Sequence, residues 1–131
     1  MRNHRPRLAL ALLVFVTAPA SARIKLAALP ERERVEIQLD NGRSTLVEEE
    51  RIVPLLAGSN RVDFAWSNTA IDKNTIRFRP IAIREGGKFR AIATKEVAVI
   101  HVAYPPGENA LVWEVYAKEA CALKVRVSYL I

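Results

Sequence analysis

From Arg23 onward the chain offers few residues equipped for chemistry. It holds one histidine, His101, within Val97–Tyr104, a run that is apolar apart from that ring. A histidine so placed reads as a buried, hydrogen-bonded side chain; the sharper reading is a general base working near neutral pH. Ser44, Ser59, Ser67 and Ser128 could supply a nucleophile, but none sits in a Gly-x-Ser-x-Gly elbow, so a Ser-His-Asp triad has its ingredients and no pattern. Cys121 and His101 together make no zinc spacing. Asp40-Asn41-Gly42 and Asp72-Lys73-Asn74 are too short and isolated for a calcium loop, and read as turns. Glu48, Glu49 and Glu50 are the one acidic run. In a strand, neighbours point to opposite faces, so the run reads as a solvated face and not as a carboxylate pair. Gly86-Gly87 is a hairpin turn, with no phosphate-cradling pattern around it. No enzymatic activity, metal or cofactor is expected.

Two binding chemistries remain. The stretch from Arg77 to Lys95 carries Arg77, Arg79, Arg84, Lys88, Arg90 and Lys95 against one acid, Glu85. Arg77 and Arg79 share a strand face, and Lys88 and Arg90 share one across the Gly86-Gly87 turn. Pairing of those strands would merge Arg77, Arg79, Arg84, Lys88 and Arg90 into a patch able to meet anionic glycan or lipid headgroups. The plainer reading is a solvated outer face. Trp66 and Trp113 could stack on sugars, yet each lies on an apolar stripe, with Val62 and Phe64 or with Leu111 and Val115, and is expected in the core. Tyr104 and Tyr116 are the better candidates for exposure. Cys121, among Ala120 and Ala122, reads as a small buried hydrophobe.

The elements that would position these residues are strands. Val35, Ile37 and Leu39 alternate with Glu36 and Gln38, and Asp40, Asn41 and Gly42 close a hairpin onto a second strand from about Ser44 to Val53. Pro54 to Asn60 reads as a loop. Val62, Phe64 and Trp66 share a face; Ser67 to Thr75 is polar and reads as a second loop; Ile76 and Phe78 face one way, Arg77 and Arg79 the other. Val97 to Tyr104, apolar on both faces, predicts a central strand covered on both sides. Leu111, Trp113 and Val115 oppose Val112, Glu114 and Tyr116. Leu123, Val125, Val127, Tyr129 and Ile131 alternate with Lys124, Arg126 and Ser128, and this run reads as an apolar edge strand in need of cover. About seven or eight short strands between turn signals predict a single all-β domain, an Ig-like β-sandwich spanning 23–131.

Residues 1–22 have the three parts of a secretory signal peptide. Arg2, Arg5 and Arg7 form the positive head, Leu8–Val16 is wholly apolar, and Ala20 and Ala22 are the small residues of a processing site before Arg23. The apolar run is shorter than the ~20 residues that span a bilayer, so no stable membrane anchor is expected after cleavage. Removal of 22 of the 131 residues leaves 109, enough for one core. Three of the 20 basic residues leave with the leader and none of the 14 acids, so the formal charge of +6 falls to +3. That is ordinary for a soluble domain, and a nucleic-acid partner is not expected. A single cysteine allows no internal disulfide, so apolar packing must hold the domain together.

Several segments carry a family resemblance. Thr45-Leu46-Val47-Glu48-Glu49-Glu50-Arg51, Leu55-Leu56-Ala57-Gly58-Ser59-Asn60, Ile71-Asp72-Lys73-Asn74-Thr75-Ile76, Asn109-Ala110-Leu111-Val112-Trp113 and Val125-Arg126-Val127-Ser128-Tyr129 resemble bacterial exported proteins with domain of unknown function 4139. The resemblance implies the N-terminal β-rich module of that family, normally followed by a larger β-rich region. It brings no catalytic residue. The expectation is therefore a periplasmic or secreted, non-enzymatic β-sandwich module of the cell envelope. It would meet envelope proteins through its exposed last strand, or pair with a missing C-terminal β-rich region. The alternative is binding of anionic glycan through the Arg77–Lys95 patch.

Overall fold

The computed structural model describes residues 22–27, 34–40, 42, 44–67 and 69–131. The predicted leader lies outside them except for Ala22, the first residue of the first strand. The described residues form nine strands and no α-helix, arranged as two layers: an all-β, sandwich-like domain. One sheet has the spatial order β1 (Ala22–Ala27), β4 (Gly58–Ala65), β8 (Ala110–Ala117), β7 (Val97–Ala103). The other has the order β2 (Arg34–Asp40), β3 (Ser44–Leu55), β9 (Cys121–Leu130), β5 (Asp72–Glu85), β6 (Lys88–Arg90). Every neighbouring pair is antiparallel except β1 with β4.

The alternation read from the sequence sets the inward faces. Val62, Phe64 and Trp66, then Leu111, Trp113, Val115 and Ala117, line the inner side of the four-stranded sheet. Val47, Val53, Leu55, Ile76, Ile83 and the run Leu123, Val125, Val127, Tyr129 meet them from the five-stranded sheet. Phe64 touches the rings of Trp66, Trp113 and Tyr129 at centroid distances of 5.8–6.0 Å, and Phe78 lies 4.6 Å from Trp113. Both tryptophans are thus core residues, as expected. Such clusters add about 0.5–1.5 kcal/mol per pair beyond the area they bury.

The turns follow their chemistry. Gly86 and Gly87 have φ of 56° and 78°, the left-handed pair that a two-residue hairpin between Glu85 and Lys88 requires. The Pro54–Asn60 loop is shorter than predicted. β3 runs to Leu55, the chain crosses between sheets at Leu56–Ala57, and β4 begins at Gly58. Asn60 sits fully buried inside β4. Its side chain accepts from Leu56 N at 2.9 Å and donates to the carbonyls of Leu56, Gly58 and Val115, so a turn-forming side chain acts from within a strand. Ser67–Thr75 is likewise only partly loop, because β5 starts at Asp72; there Asp72 Oδ1 accepts from Asn74 N and Thr75 Oγ1 donates to the Asp72 carbonyl.

Two strand placements correct the sequence reading. β9 is no edge. It lies between β3 and β5, and Ile131 exchanges backbone hydrogen bonds with Thr45 in both directions, at 2.9 and 3.0 Å. Conversely, β7 is no central strand. Among the described residues it pairs with β8 alone and closes one side of the four-stranded sheet, with most of its side chains exposed. Apolar residues on both faces mark a strand that will be covered twice or one that lies open at a rim; periodicity within one strand does not distinguish them.

Candidate functional site

Two surfaces collect the residues that carried functional readings. The first is the β7 rim. A register shift between Val99 and His101 makes Ile100 a bulge residue, and Ile100 is 59% exposed. Val99, Val102 and Tyr104 are exposed beside it, and Tyr116 is exposed on the adjacent β8. No charged residue or proline lies between Val97 and Ala103. Charges, prolines and bulges are the usual guards of a free edge, and here the bulge stands alone.

His101 follows from that placement. It is exposed rather than buried, and it stands opposite Glu114, which in turn stands opposite Arg61. Ser59 Oγ donates to Glu114 Oε1 at 2.5 Å. Ser59, Arg61, His101, Ala103, Val112 and Glu114 line an open depression of about 280 Å³ on the outer face of this sheet. Serine, histidine and carboxylate are therefore neighbours, but in an order unsuited to acyl transfer. The hydroxyl proton goes to the carboxylate, whereas a nucleophile would give it to the imidazole.

The second surface is the outer face of the five-stranded sheet. Arg77, Arg79 and Arg84 point outward from β5, opposite Ser128, Arg126 and Ala122 of β9. Lys124 and Arg126 thus join the patch, although both lie outside the stretch that suggested it. Lys88 and Arg90 do not join it. They pair with Glu85 and Ile83, on the side of the hairpin that carries the buried Ile83, whereas Phe89 points outward with Arg84 and lies under Lys124 Nζ at 4.6 Å. Two residues on opposite sides of a sheet cannot share a ligand-facing patch, so the predicted merger fails for these two.

Arg90 has a different role. It pairs with Glu85 at 2.8 Å and reaches Glu96 with both terminal nitrogens, at 2.9 and 2.5 Å. Ala93 N donates to the same Glu96 carboxylate at 2.8 Å. The Arg90 guanidinium, helped by the Ala93 amide, pulls the Glu96 carboxyl down to about 2. On the basic face, Glu50 lies between Arg126 at 2.7 Å and Lys124 at 2.9 Å, and hydrogen bonds from Arg126 and then Lys124 hold its carboxyl below the usual range.

The acidic run divides in a way not foreseen. Glu48 and Glu50 face outward, but Glu49 is fully buried on the inner face of β3. Its carboxylate takes hydrogen bonds from Arg51 Nε at 3.1 Å, from Arg51 Nη2, and from the hydroxyl of buried Tyr129. Spacing alone held the missed signal: Glu49 and Arg51 stand two apart, on one face of one strand, in line with Val47 and Val53. Cys121 is half-buried against the core, and burial pushes its thiol up, away from the reactive thiolate. Among the described residues no group of acids, histidines and cysteine is placed to hold a metal ion.

Comparison of the chain with protein-family models, with curated proteins and with solved structures gave no significant match.

Proposed function

We propose that this chain is an exported, non-enzymatic binding module of the bacterial cell envelope that meets a protein partner by strand addition at β7. One observation carries the reading: an edge strand whose Val99, Ile100 and Val102 are exposed and whose flank holds Tyr104 and Tyr116. A partner strand laid along β7 would receive backbone hydrogen bonds for affinity and side-chain contacts at alternate positions for selectivity. The pairing of Ser59 with Glu114, which leaves no serine–histidine relay, favours binding over catalysis. Kinship with the exported proteins named above and secretion through the leader belong to the same proposal.

A photo-crosslinking side chain at position 100, in cells making the full chain, tests the contact. One dominant adduct is expected from position 100 and none from position 77 on the outer face of the other sheet, and Val102→Lys should suppress it. Equal adducts from both positions, or none, would defeat the reading. Export has its own check: the protein recovered from the envelope fraction should begin Arg-Ile-Lys-Leu, and an intact leader there would refute cleavage after Ala22.

A second reading, attachment of anionic glycan, is supported by the gathering of Arg77, Arg79 and Arg84 with Lys124 and Arg126 on one sheet face. Salt-sensitive retention on a sulfated polysaccharide column that falls with Arg77→Glu plus Arg84→Glu is the expected behaviour. Unchanged retention counts against it.

A further inference from the structure

Arg79 of β5 and Arg126 of β9 are direct cross-strand partners on the outer face of the five-stranded sheet. Like charges directly opposite each other destabilise a sheet unless something neutralises them. Arg126 has such a partner, since its Nη2 donates to Glu50 Oε1 at 2.7 Å on the β3 side. Arg79 lies on the other side of Arg126, away from Glu50. β6 covers β5 only from Ile83 to Glu85, so among the described residues no strand flanks Arg79 there and no carboxylate pairs with it. Arg77, two residues away on the same face, adds positive charge and donates to the carbonyls of Asn74 and Ile76, which holds it in place.

The backbone departs from regularity at this spot. The β5–β9 register shifts between Pro80 and Ala82, and the irregularity leaves a notch of about 200 Å³ lined by Arg79, Pro80, Ile81 and Arg126. Bulges of this kind re-aim side chains and recur beside binding sites. Pro80 and Ile81 line the notch with apolar side chains, so its polar side-chain groups are the guanidinium groups of Arg79 and Arg126. Guanidinium is a rigid planar donor fork matched to oxyanions.

We propose that the Arg79–Arg126 notch is an oxyanion subsite that takes a sulfate, phosphate or carboxylate group. The inference deepens the glycan reading, because it names the point on the basic face where one acidic group of a polymer would seat. A free inorganic anion offers the same chemistry, and the test separates the two sources.

The mature chain, isotopically labelled, is titrated with sodium sulfate and with inorganic phosphate against sodium chloride at matched ionic strength. Saturable shifts confined to Arg79, Ile81 and Arg126 are expected with sulfate and phosphate, and none with chloride. Arg79→Gln should weaken that binding about tenfold or more, the usual cost of a lost charge-assisted contact. Lys88→Gln, on the reverse side of the hairpin, should leave it unchanged. Equal shifts with chloride, or sulfate binding unaltered by Arg79→Gln, would overturn the notch. Retention on a sulfated polysaccharide column forms the second arm. Lower elution salt for Arg79→Gln supports the notch as the polymer's seat. If only Arg77→Glu plus Arg84→Glu lowers elution, the glycan reading stands and the notch falls as the polymer's seat. If neither moves the polymer while Arg79→Gln still abolishes sulfate binding, the notch is a free-anion site and the glycan reading falls.

Discussion

Glu49 and Arg51 sit inside a hydrophobic sandwich, where a lone charge is costly and a paired, hydrogen-bonded one is tolerated. With the Tyr129 hydroxyl they form a polar knot among Val47, Val53, Val125 and Val127. Removing one member strands the other. Glu49→Ala is expected to cost about 3–5 kcal/mol, the range for breaking a buried pair. Tyr129→Phe, which removes one hydrogen bond and keeps the ring against Phe64, should cost about 1–3 kcal/mol. Urea denaturation measures both, and a Glu49→Ala loss below about 1 kcal/mol would contradict this role. Residue roles were only partly legible beforehand. Trp66 and Trp113 declared their burial through their stripes, whereas Glu49 was hidden among Glu48 and Glu50 because composition records a run of like charges and not which of them faces inward. His101 was misjudged for a related reason: its apolar neighbours line a rim.

The strap from Ala91 to Glu96 carries the chain from β6 in one sheet to β7 in the other, and the Arg90–Glu96 pair pins it. The Glu96 carboxyl, held at about 2 where an unperturbed glutamate titrates at 4.5, favours the folded strap whenever it is ionised. That contribution is complete above pH 4.5 and is lost as pH falls toward 2. The Ala93 amide shift, followed by NMR during acidification, should titrate with a midpoint near 2 and lie flat around pH 4.5. A midpoint at the ordinary value would mean that the clamp does not form in solution. The alternation of β9 and the Gly86-Gly87 hairpin were plain in the sequence. Their neighbours were not. Whether a strand is central or peripheral depends on pairings between residues about 80 positions apart, as in Val47 with Tyr129, and no local pattern encodes them.

At the scale of the whole molecule, the chain changes sheets at Leu56–Ala57, between Trp66 and Ile71, along the 91–96 strap and between Lys118 and Ala120. Each layer is therefore assembled from distant segments, and neither can form alone. Deleting residues 121–131 takes out the strand between β3 and β5 together with Leu123, Val125, Val127 and Tyr129 of the core. The shortened chain should lose cooperative thermal unfolding and near-ultraviolet dichroism. A sharp transition in that variant would show that the layers are independent.

β9 is also the last of the nine strands to be synthesised. Until it emerges from the ribosome, β3 and β5 have no partner between them, and the core lacks Leu123, Val125, Val127 and Tyr129. A nascent chain ending before Cys121 would therefore remain loose, and Cys121–Leu130 would act as the zip that commits the preceding strands to a folded state.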